Sequence, residues 1–367
     1  MTDRFQKRRD RLRRTVRKQD FEALLVTDEV NVKYLTGFTG DSSFLLLGPK
    51  DDQILSDSRY TQQIEEECPG LDMAIRGPAT TTIDLAAKTL GAAKLRDLGI
   101  ETHSMTVAFR DRLDDALPST SLAPSGGLVE ELRMIKDREE IETLRCSIRI
   151  AARGFEVLRS TLSPEKTELQ IRDELEFVMR GFGAQDRGFD SIVAVGPRAA
   201  LPHAIPTSQR VEESGLLLVD WGAQYSHYIS DLTRVLVTGK LTPKLARIYN
   251  VVLAAQMKAI ETIRPGATGE DVDAAARGVI TDAGFGKRFQ HGTGHGIGLQ
   301  VHESPRMAEG CAVELRPGMV VTVEPGIYIP GWGGVRIEDD ILVTRDGHEV
   351  LSRDVPKQLE EMIAPTT

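Results

Sequence analysis

Four acidic residues stand where β-strands should be apolar, and that placement limits what this chain can fold into. In GLLLVDWGAQYSHYISDLTRVLV, Asp220 ends one apolar run and Asp231 begins the next. Glu324 closes a third run in VVTVEPG, and Glu338 stands inside a fourth, GVRIEDDILVT. A hairpin centred between Tyr225 and Ser226 would set Asp220 and Asp231 directly opposite each other, with Cβ atoms about 5 Å apart on one face. Carboxylates that close raise each other's pKa unless something cationic lies between them. The plain alternative is that Asp220 caps a turn and Asp231 is exposed. Along GVRIEDDILVT, strand alternation puts Arg336, Glu338 and Asp340 on one face and Val335, Ile337, Asp339 and Ile341 on the other. Arg336 can pair Glu338, but one guanidinium does not neutralise four acids, and buried carboxylates need partners or a metal.

A nitrogen donor is at hand in HGTGHGIGLQVHE, His291 to Glu303, which holds three of the seven histidines in the chain. His291 and His295 have the four-residue spacing of a helical zinc pair. Gly292, Gly294, Gly296 and Gly298 argue against a helix there. The expectation is a loop whose glycines let backbone crowd a ligand site. A phosphate cradle fits less well, because the stretch lacks the lysine and the strand-to-helix setting. Two Asp, two Glu and one His make a hard donor set suited to Mn²⁺, Co²⁺, Fe²⁺ or Zn²⁺ rather than a thiolate-type structural zinc site. Four carboxylates, two able to bridge, imply two metals about 3.5 to 4 Å apart sharing a hydroxide.

At 367 residues the chain is long enough for two domains. Ala23 to Thr27, Ser43 to Gly48, Asp52 to Ser56 and Asp97 to Glu101 read as strands, with a helix over Thr82 to Lys94, so the first third is α/β. LPSTSLAPSGG, Leu117 to Gly127, reads as a linker, dividing the chain into 1–126 and 127–367. Beyond it come a long amphipathic helix (Ile141 to Leu158) and one capped by Thr167 with Gln170. Two more follow, one starting at Thr242–Pro243 and one at Thr268 with Asp271. Because the helices are grouped rather than set strictly between strands, this half is expected to be α+β.

Nine Lys or Arg crowd Arg4 to Lys18, yet Phe5, Leu12, Val16 and Phe21 share a helical face, which predicts a solvated amphipathic helix. With no apolar segment behind those charges, no secretory signal is expected, and no run is long enough for a membrane helix. A net charge of −9 argues against a general nucleic-acid binder. Cys68, Cys146 and Cys311 lack metal-site spacing and fit reduced thiols of a cytoplasmic protein, buried as fillers.

Taken together, VDWGAQYSHYISDLTR, HGTGHGIGLQVHE, EPGIYIPGWGG and VRIEDD resemble the proline-specific branch of the pita-bread metallopeptidases, aminopeptidase P and Xaa-Pro dipeptidase. NVKYLTGFTG and DSRYT are similar to their creatinase-type N-terminal domain, and ELRMIKDREEIETLR to the opening of their catalytic domain. The resemblance implies an α/β N-terminal domain followed by an α+β pita-bread catalytic domain. It also implies a binuclear centre held by Asp220, Asp231, His295, Glu324 and Glu338, with Mn²⁺ the first choice of metal. Asp231 and Glu338 would bridge, with Asp220 on one metal and His295 and Glu324 on the other. Glu324 would also shuttle a proton, His203 and His302 would serve the scissile carbonyl, and His291 and Arg336 would complete the pocket. None of the five ligand positions departs from the pattern, which disfavours metal-free creatinase relatives and non-catalytic binding homologues. The implied activity is cleavage of the N-terminal Xaa-Pro bond of proline-containing peptides by a homodimer or larger homo-oligomer. Aminopeptidase P is placed slightly ahead of the dipeptidase. A methionine aminopeptidase usually lacks such a first domain, and a hydrolase or lyase of a small non-peptide substrate is the remaining rival.

Overall fold

Six short strands in the first 133 residues form one sheet, and the acid-bearing runs of the remainder belong to a second body. The chain divides into two compact units, Met1–Arg133 and Met134–Thr367, and the computed structural model describes residues 2–364. The first unit begins with α1 (Thr2–Lys18), β1 (Ala23–Val26), α2 (Glu29–Thr36), β2 (Phe44–Leu47) and β3 (Asp52–Asp57). It continues through α3 (Thr61–Glu67), β4 (Asp72–Arg76), α4 (Thr82–Ala93) and β5 (Asp97–Glu101) to α5 (Val107–Ala116), β6 (Ser121–Ser125) and α6 (Leu128–Arg133). The sheet order is β4-β3-β2-β1-β5-β6. β1, sequence ALLV, is buried at every position, as a run without polar alternation requires.

Two expectations for this unit need correction. The Pro-, Ser- and Gly-rich stretch is not wholly a linker: its middle is β6, parallel to β5 at the sheet edge. An edge strand tolerates Pro124, whose missing N–H would break an inner ladder. Nor is the basic helix merely solvated. Leu12 and Val16 are buried as expected, but so are Arg8 and Arg9. Arg9 Nε donates to Asp52 Oδ2 at 2.9 Å and Arg13 Nη2 to Asp52 Oδ1 at 2.6 Å, so α1 is pinned by charge as well as by its apolar face. Of the cysteines, all free, only Cys68 is buried; Cys146 and Cys311 are intermediate.

The second unit opens with α7 (Arg138–Thr161), α8 (Glu168–Gly181), β7 (Asp186–Arg187) and β8 (Ile192–Val195). Then come β9 (Leu216–Trp221), β10 (Ala223–Tyr225), β11 (Tyr228–Ile229), β12 (Leu232–Val237), α9 (Pro243–Thr262) and α10 (Gly269–Asp282). It closes with β13 (Gly294–Gly296), β14 (Glu303–Met307), β15 (Val320–Val323), β16 (Gly326–Ile329), β17 (Gly333–Arg336), β18 (Asp339–Val343) and β19 (His348–Val350). The expected caps are present: Thr167 with Gln170 and Thr268 with Asp271 form reciprocal boxes, and Thr242 caps α9 with Pro243 in its first turn. The sheets run β12-β9-β8, β14-β13-β15-β18-β19, β11-β10-β7 and β16-β17. A bridge from Thr233 to Glu338 ties β12 to the chain entering β18. No helix among the described residues is long and apolar enough to cross a membrane.

The hairpin of the acid pair turns one residue later than its sequence suggests. Ser226 and His227 both have positive φ (46° and 69°), and Tyr225 pairs with Tyr228 across them. Such a turn suits strand twist, but Ser-His lacks the Asn-Gly signature that would have revealed it. Asp220 therefore faces Thr233, not Asp231. A shift of two positions in pairing preserves the face, so the two acids remain on one side, diagonal rather than opposed.

Behind them lies the core. Trp221 is fully buried, stacks on Phe155 with ring centroids 4.5 Å apart, and donates Nε1–H to Ala151 O at 3.0 Å. Trp221→Ala should destabilise the fold by about 3–5 kcal/mol. A thermal melt within a degree or two of the wild type would show that this contact does not hold β9 against α7.

Candidate metal centre

Each acid is delivered by a strand end. Asp220 lies near the end of β9, Asp231 just before β12, Glu324 just after β15, and Glu338 in the break between β17 and β18. That break corrects the expectation of one continuous strand through GVRIEDDILVT, which is divided at Ile337–Glu338. His295 sits in β13, so the glycine-rich stretch is a short paired strand at this point rather than a loop. Its glycines do permit close approach, chiefly by neighbouring strands. A Cβ on Gly294 would lie 2.0 Å from Thr322 O, and one on Gly296 2.2 Å from Ser304 O. Those contacts require glycine on both sides of His295.

Asp231, His295 and Glu338 each offer one ligand atom, and those atoms lie within 4.8 Å of one another. His295 Nε2 is 3.2 Å from Glu324 Oε1 and 3.8 Å from Asp231 Oδ2. Its Nδ1 lies 3.1 Å from Gly296 O, so an imidazole donating there leaves the Nε2 lone pair facing the acids. Thr233 Oγ1 donates to Glu338 Oε2 at 2.6 Å, and Asp231 N donates to Asp340 Oδ2 at 3.2 Å. Arg336 does not take up the expected pairing with Glu338. Its Nη2 donates to Asp220 Oδ2, its Nε to Thr233 Oγ1 at 3.0 Å, and its Nη1 to Tyr328 OH at 2.9 Å.

These contacts leave the acids undersupplied with positive charge. Burial, then repulsion from Glu338, Asp220 and Glu324, holds the Asp231 carboxyl well above its ordinary range. Burial and repulsion from Glu324 and Asp220 do the same to Glu338. Burial also raises Asp220 despite Arg336, and pushes Asp340 up to about 8. Glu324 goes the other way: burial works to raise it, but its contact with His295 prevails and holds it below the usual value. For His295 burial is likewise outweighed by Glu324, and its pKa rises.

The residues fit a divalent-metal site. Asp220 Oδ1, Glu338 Oε1 and Asp340 Oδ1 are buried and accept no hydrogen bond. Orphaned carboxylate oxygens in a dry interior are costly, and a cation among them relieves both desolvation and mutual repulsion. Carboxylates with one imidazole are a hard donor set of the kind that holds Mn²⁺, Co²⁺, Fe²⁺ or Zn²⁺.

The other histidines border this cluster. The His302 ring stands edge-on to His295, centroids 4.5 Å apart, and burial followed by the neighbouring His295 charge lowers its pKa. His291 Nε2 is 2.9 Å from Tyr328 OH, linking it through that hydroxyl to Arg336. Exposed His203 acts electrostatically on Asp220, His291 and His302. The expected residues thus gather in one region. Sequence reasoning missed Tyr328 and Thr233, whose hydroxyls join the charged groups. Their only local signal is proximity, four residues after Glu324 and two after Asp231. It also stopped short of Asp340, although alternation had put that residue on the face of Glu338.

Residues 142–345 match the family model of metallopeptidase family M24, and residues 8–135 that of the creatinase/prolidase N-terminal domain. A Xaa-Pro dipeptidase of Pyrococcus horikoshii is 35% identical over 92% of this chain and 94% of its own. The solved structure of a Xaa-Pro dipeptidase from Bacillus anthracis is 40% identical, covers 97% of this chain and 99% of its own, and superposes with a TM-score of 0.93. That of an X-Pro aminopeptidase from Thermotoga maritima is 33% identical over 94% of this chain and 99% of its own, with a TM-score of 0.85. The architecture is therefore the expected one, a creatinase-type α/β domain followed by an α+β pita-bread domain.

The raised carboxyls give the site a defined proton linkage. A carboxyl whose pKa is raised binds protons more tightly than a free one, and a divalent ion competes with those protons for the same oxygens. Titrating Mn²⁺ into chelator-treated protein at pH 7 should therefore release protons, with apparent affinity weakening as pH falls. Calorimetry in buffers of different ionisation enthalpy reads this directly. A binding heat independent of the buffer would contradict it.

Proposed function

The chain belongs to metallopeptidase family M24, and from that premise we propose that it hydrolyses the Xaa-Pro bond of proline-containing dipeptides. The observation that carries the reading is the convergence of Asp231, His295 and Glu338 within 4.8 Å, beside buried carboxylate oxygens that lack partners. In this reading Asp220, Asp231, His295, Glu324 and Glu338 would hold two divalent ions, Mn²⁺ first. When bound, such a pair supplies Lewis acidity and a water acidified toward neutral pH.

The chain's own residues supply the rest. An Xaa-Pro bond is a tertiary amide, so its nitrogen must gain a proton as the bond breaks. Glu324 is suited to deliver it: burial pushes its carboxyl up, but the His295 contact outweighs that and holds it below the usual value. It can therefore take a proton from the attacking water and pass it to the proline nitrogen. His302 and His203 donate to the developing oxyanion. Arg336, joined to Asp220 and through Tyr328 to His291, holds the pocket side of the site in place. The presence of the whole donor set supports turnover over a non-catalytic binding role. A homo-oligomer, dimer or larger, in the cytoplasm belongs to the same reading.

The dipeptidase is now preferred to the aminopeptidase, reversing the order suggested by the sequence. The support is that the relative at 40% identity bears the dipeptidase name. The 33% identity to the Thermotoga maritima aminopeptidase keeps cleavage of longer peptides as the second reading. An Xaa-Pro dipeptide and an Xaa-Pro-Xaa tripeptide, assayed with chelator and with added Mn²⁺, separate them. We expect metal-dependent cleavage with the higher kcat/KM on the dipeptide. A preference for the tripeptide would restore the aminopeptidase, and cleavage of neither would sink the Xaa-Pro assignment.

The histidines divide their labour. His295→Ala should lose metal affinity. His302→Ala should keep its metal but lose on the order of 2–4 kcal/mol of transition-state stabilisation. Metal titration and steady-state kinetics on the two variants test this; equal metal loss in both, or full kcat/KM in His302→Ala, would refute it.

A further inference from the structure

Glu168 is a fully buried carboxylate to which the mechanism above gives no part. It opens α8, and its two oxygens accept from both ends of one surface segment. At the near end the donors are Val195 N at 2.8 Å and Arg198 Nε at 3.0 Å. At the far end they are Thr207 N and Thr207 Oγ1, both at 2.7 Å. Backbone bonds from Glu168 N to Gln209 O and from Leu169 N to Thr207 O, at 3.0 and 3.1 Å, secure the same far end.

What lies between those ends is His203. It is exposed, flanked by exposed Leu201 and Ile205, and held by no hydrogen bond from its own ring among the described residues. Its place is therefore set by the backbone that carries it. That backbone is seated on β17 near its start: a Cβ on Gly334 would lie 2.0 Å from Ala199 O, and one on Gly333 2.9 Å from Gly196 O. β17 ends in Arg336, so the base of the segment rests on a strand that also builds the metal centre. Seating on β17 orients one end, and Glu168 joins that end to the other.

We propose that Glu168 is a positioning residue, holding the Val195–Thr207 segment in the arrangement that presents His203 to the substrate carbonyl. The inference rests on the role of His203 proposed above. Glutamine at this position keeps the shape but turns an –NH₂ toward a ring of donors, where one oxygen no longer accepts.

The test uses the metal-loaded enzyme and four forms: wild type, Glu168→Gln, His203→Ala and the double variant. Glu168→Gln should retain its metal and change KM little, while kcat falls about 10- to 100-fold, as expected for a misplaced group. Added to His203→Ala, it should cost less than about twofold, because residues that act as one unit are not additive. Amide hydrogen exchange over residues 196–206 should quicken in Glu168→Gln. Unchanged exchange there, or an equal loss of kcat with and without His203, would overturn the proposal. Full kcat in His203→Ala would refute the role of His203 alone, and exchange would still decide whether Glu168 clamps the segment. If Glu168→Gln does not fold, Arg198→Ala, which removes a part-exposed donor to the same carboxylate, carries the same comparison.

Discussion

Repulsion among buried carboxylates is the constraint on which the rest of the second unit depends. Asp220, Asp231, Glu338 and Asp340 are each less than a tenth exposed, and three of their oxygens accept no hydrogen bond. A fold that assembles such a cluster gives up stability there, and recovers it when a cation occupies the gap. One guanidinium, Arg336, is directed at Asp220 rather than shared among them. The cluster is thus left short of positive charge, which is what suits it to a metal ion.

The strand carrying Glu338 shows how the fold confines that deficit. Glu338 and Asp339 are consecutive and both buried, yet their surroundings are opposite. Asp339 accepts from Arg234 at 2.8 Å, and from Lys357 and Gln256 at 2.7 Å each. Burial alone would raise its carboxyl, but Arg234 and Lys357 hold it down to about 2. Arg234 also donates to the backbone oxygens of Thr233 and Glu338. The charge behind the strand is fully neutralised and fixes the backbone from which the unneutralised charge in front projects.

A second support serves the histidine strand. Asp273 on α10 accepts from Thr293 N and Oγ1 at 3.0 and 2.8 Å and pairs with Arg277 at 2.8 Å. Arg277 in turn donates to His291 O at 2.9 Å, and Glu324 N donates to Thr293 O at 2.7 Å. One helix therefore holds the backbone between two histidines, and that backbone pairs with the chain bearing Glu324. With glycine at 294 and 296, neighbouring strands close to distances a side chain would forbid.

The helix caps, the α/β and α+β character of the two halves, and the acids and imidazoles of the candidate site were legible in the sequence. They are written in local patterns: capping pairs at fixed spacing, apolar runs, and charged residues where such runs should be uninterrupted. What tertiary structure alone decided was pairing across distance. The hairpin register depended on a Ser-His turn without a recognisable signature, so the partner of Asp220 was misplaced by two residues. Arg336 found Asp220 rather than its near neighbour Glu338, because the break after β17 and the packing of β9 decide which carboxylate it can reach. Pro124 and its neighbours became an edge strand because β5 offered a free ladder, which local composition does not record. Tyr328, Thr233 and Glu168 act through hydroxyl or carboxylate contacts made only once distant strands meet. Local sequence encodes what a residue can do; which partner it does it with depends on which backbones the core brings together.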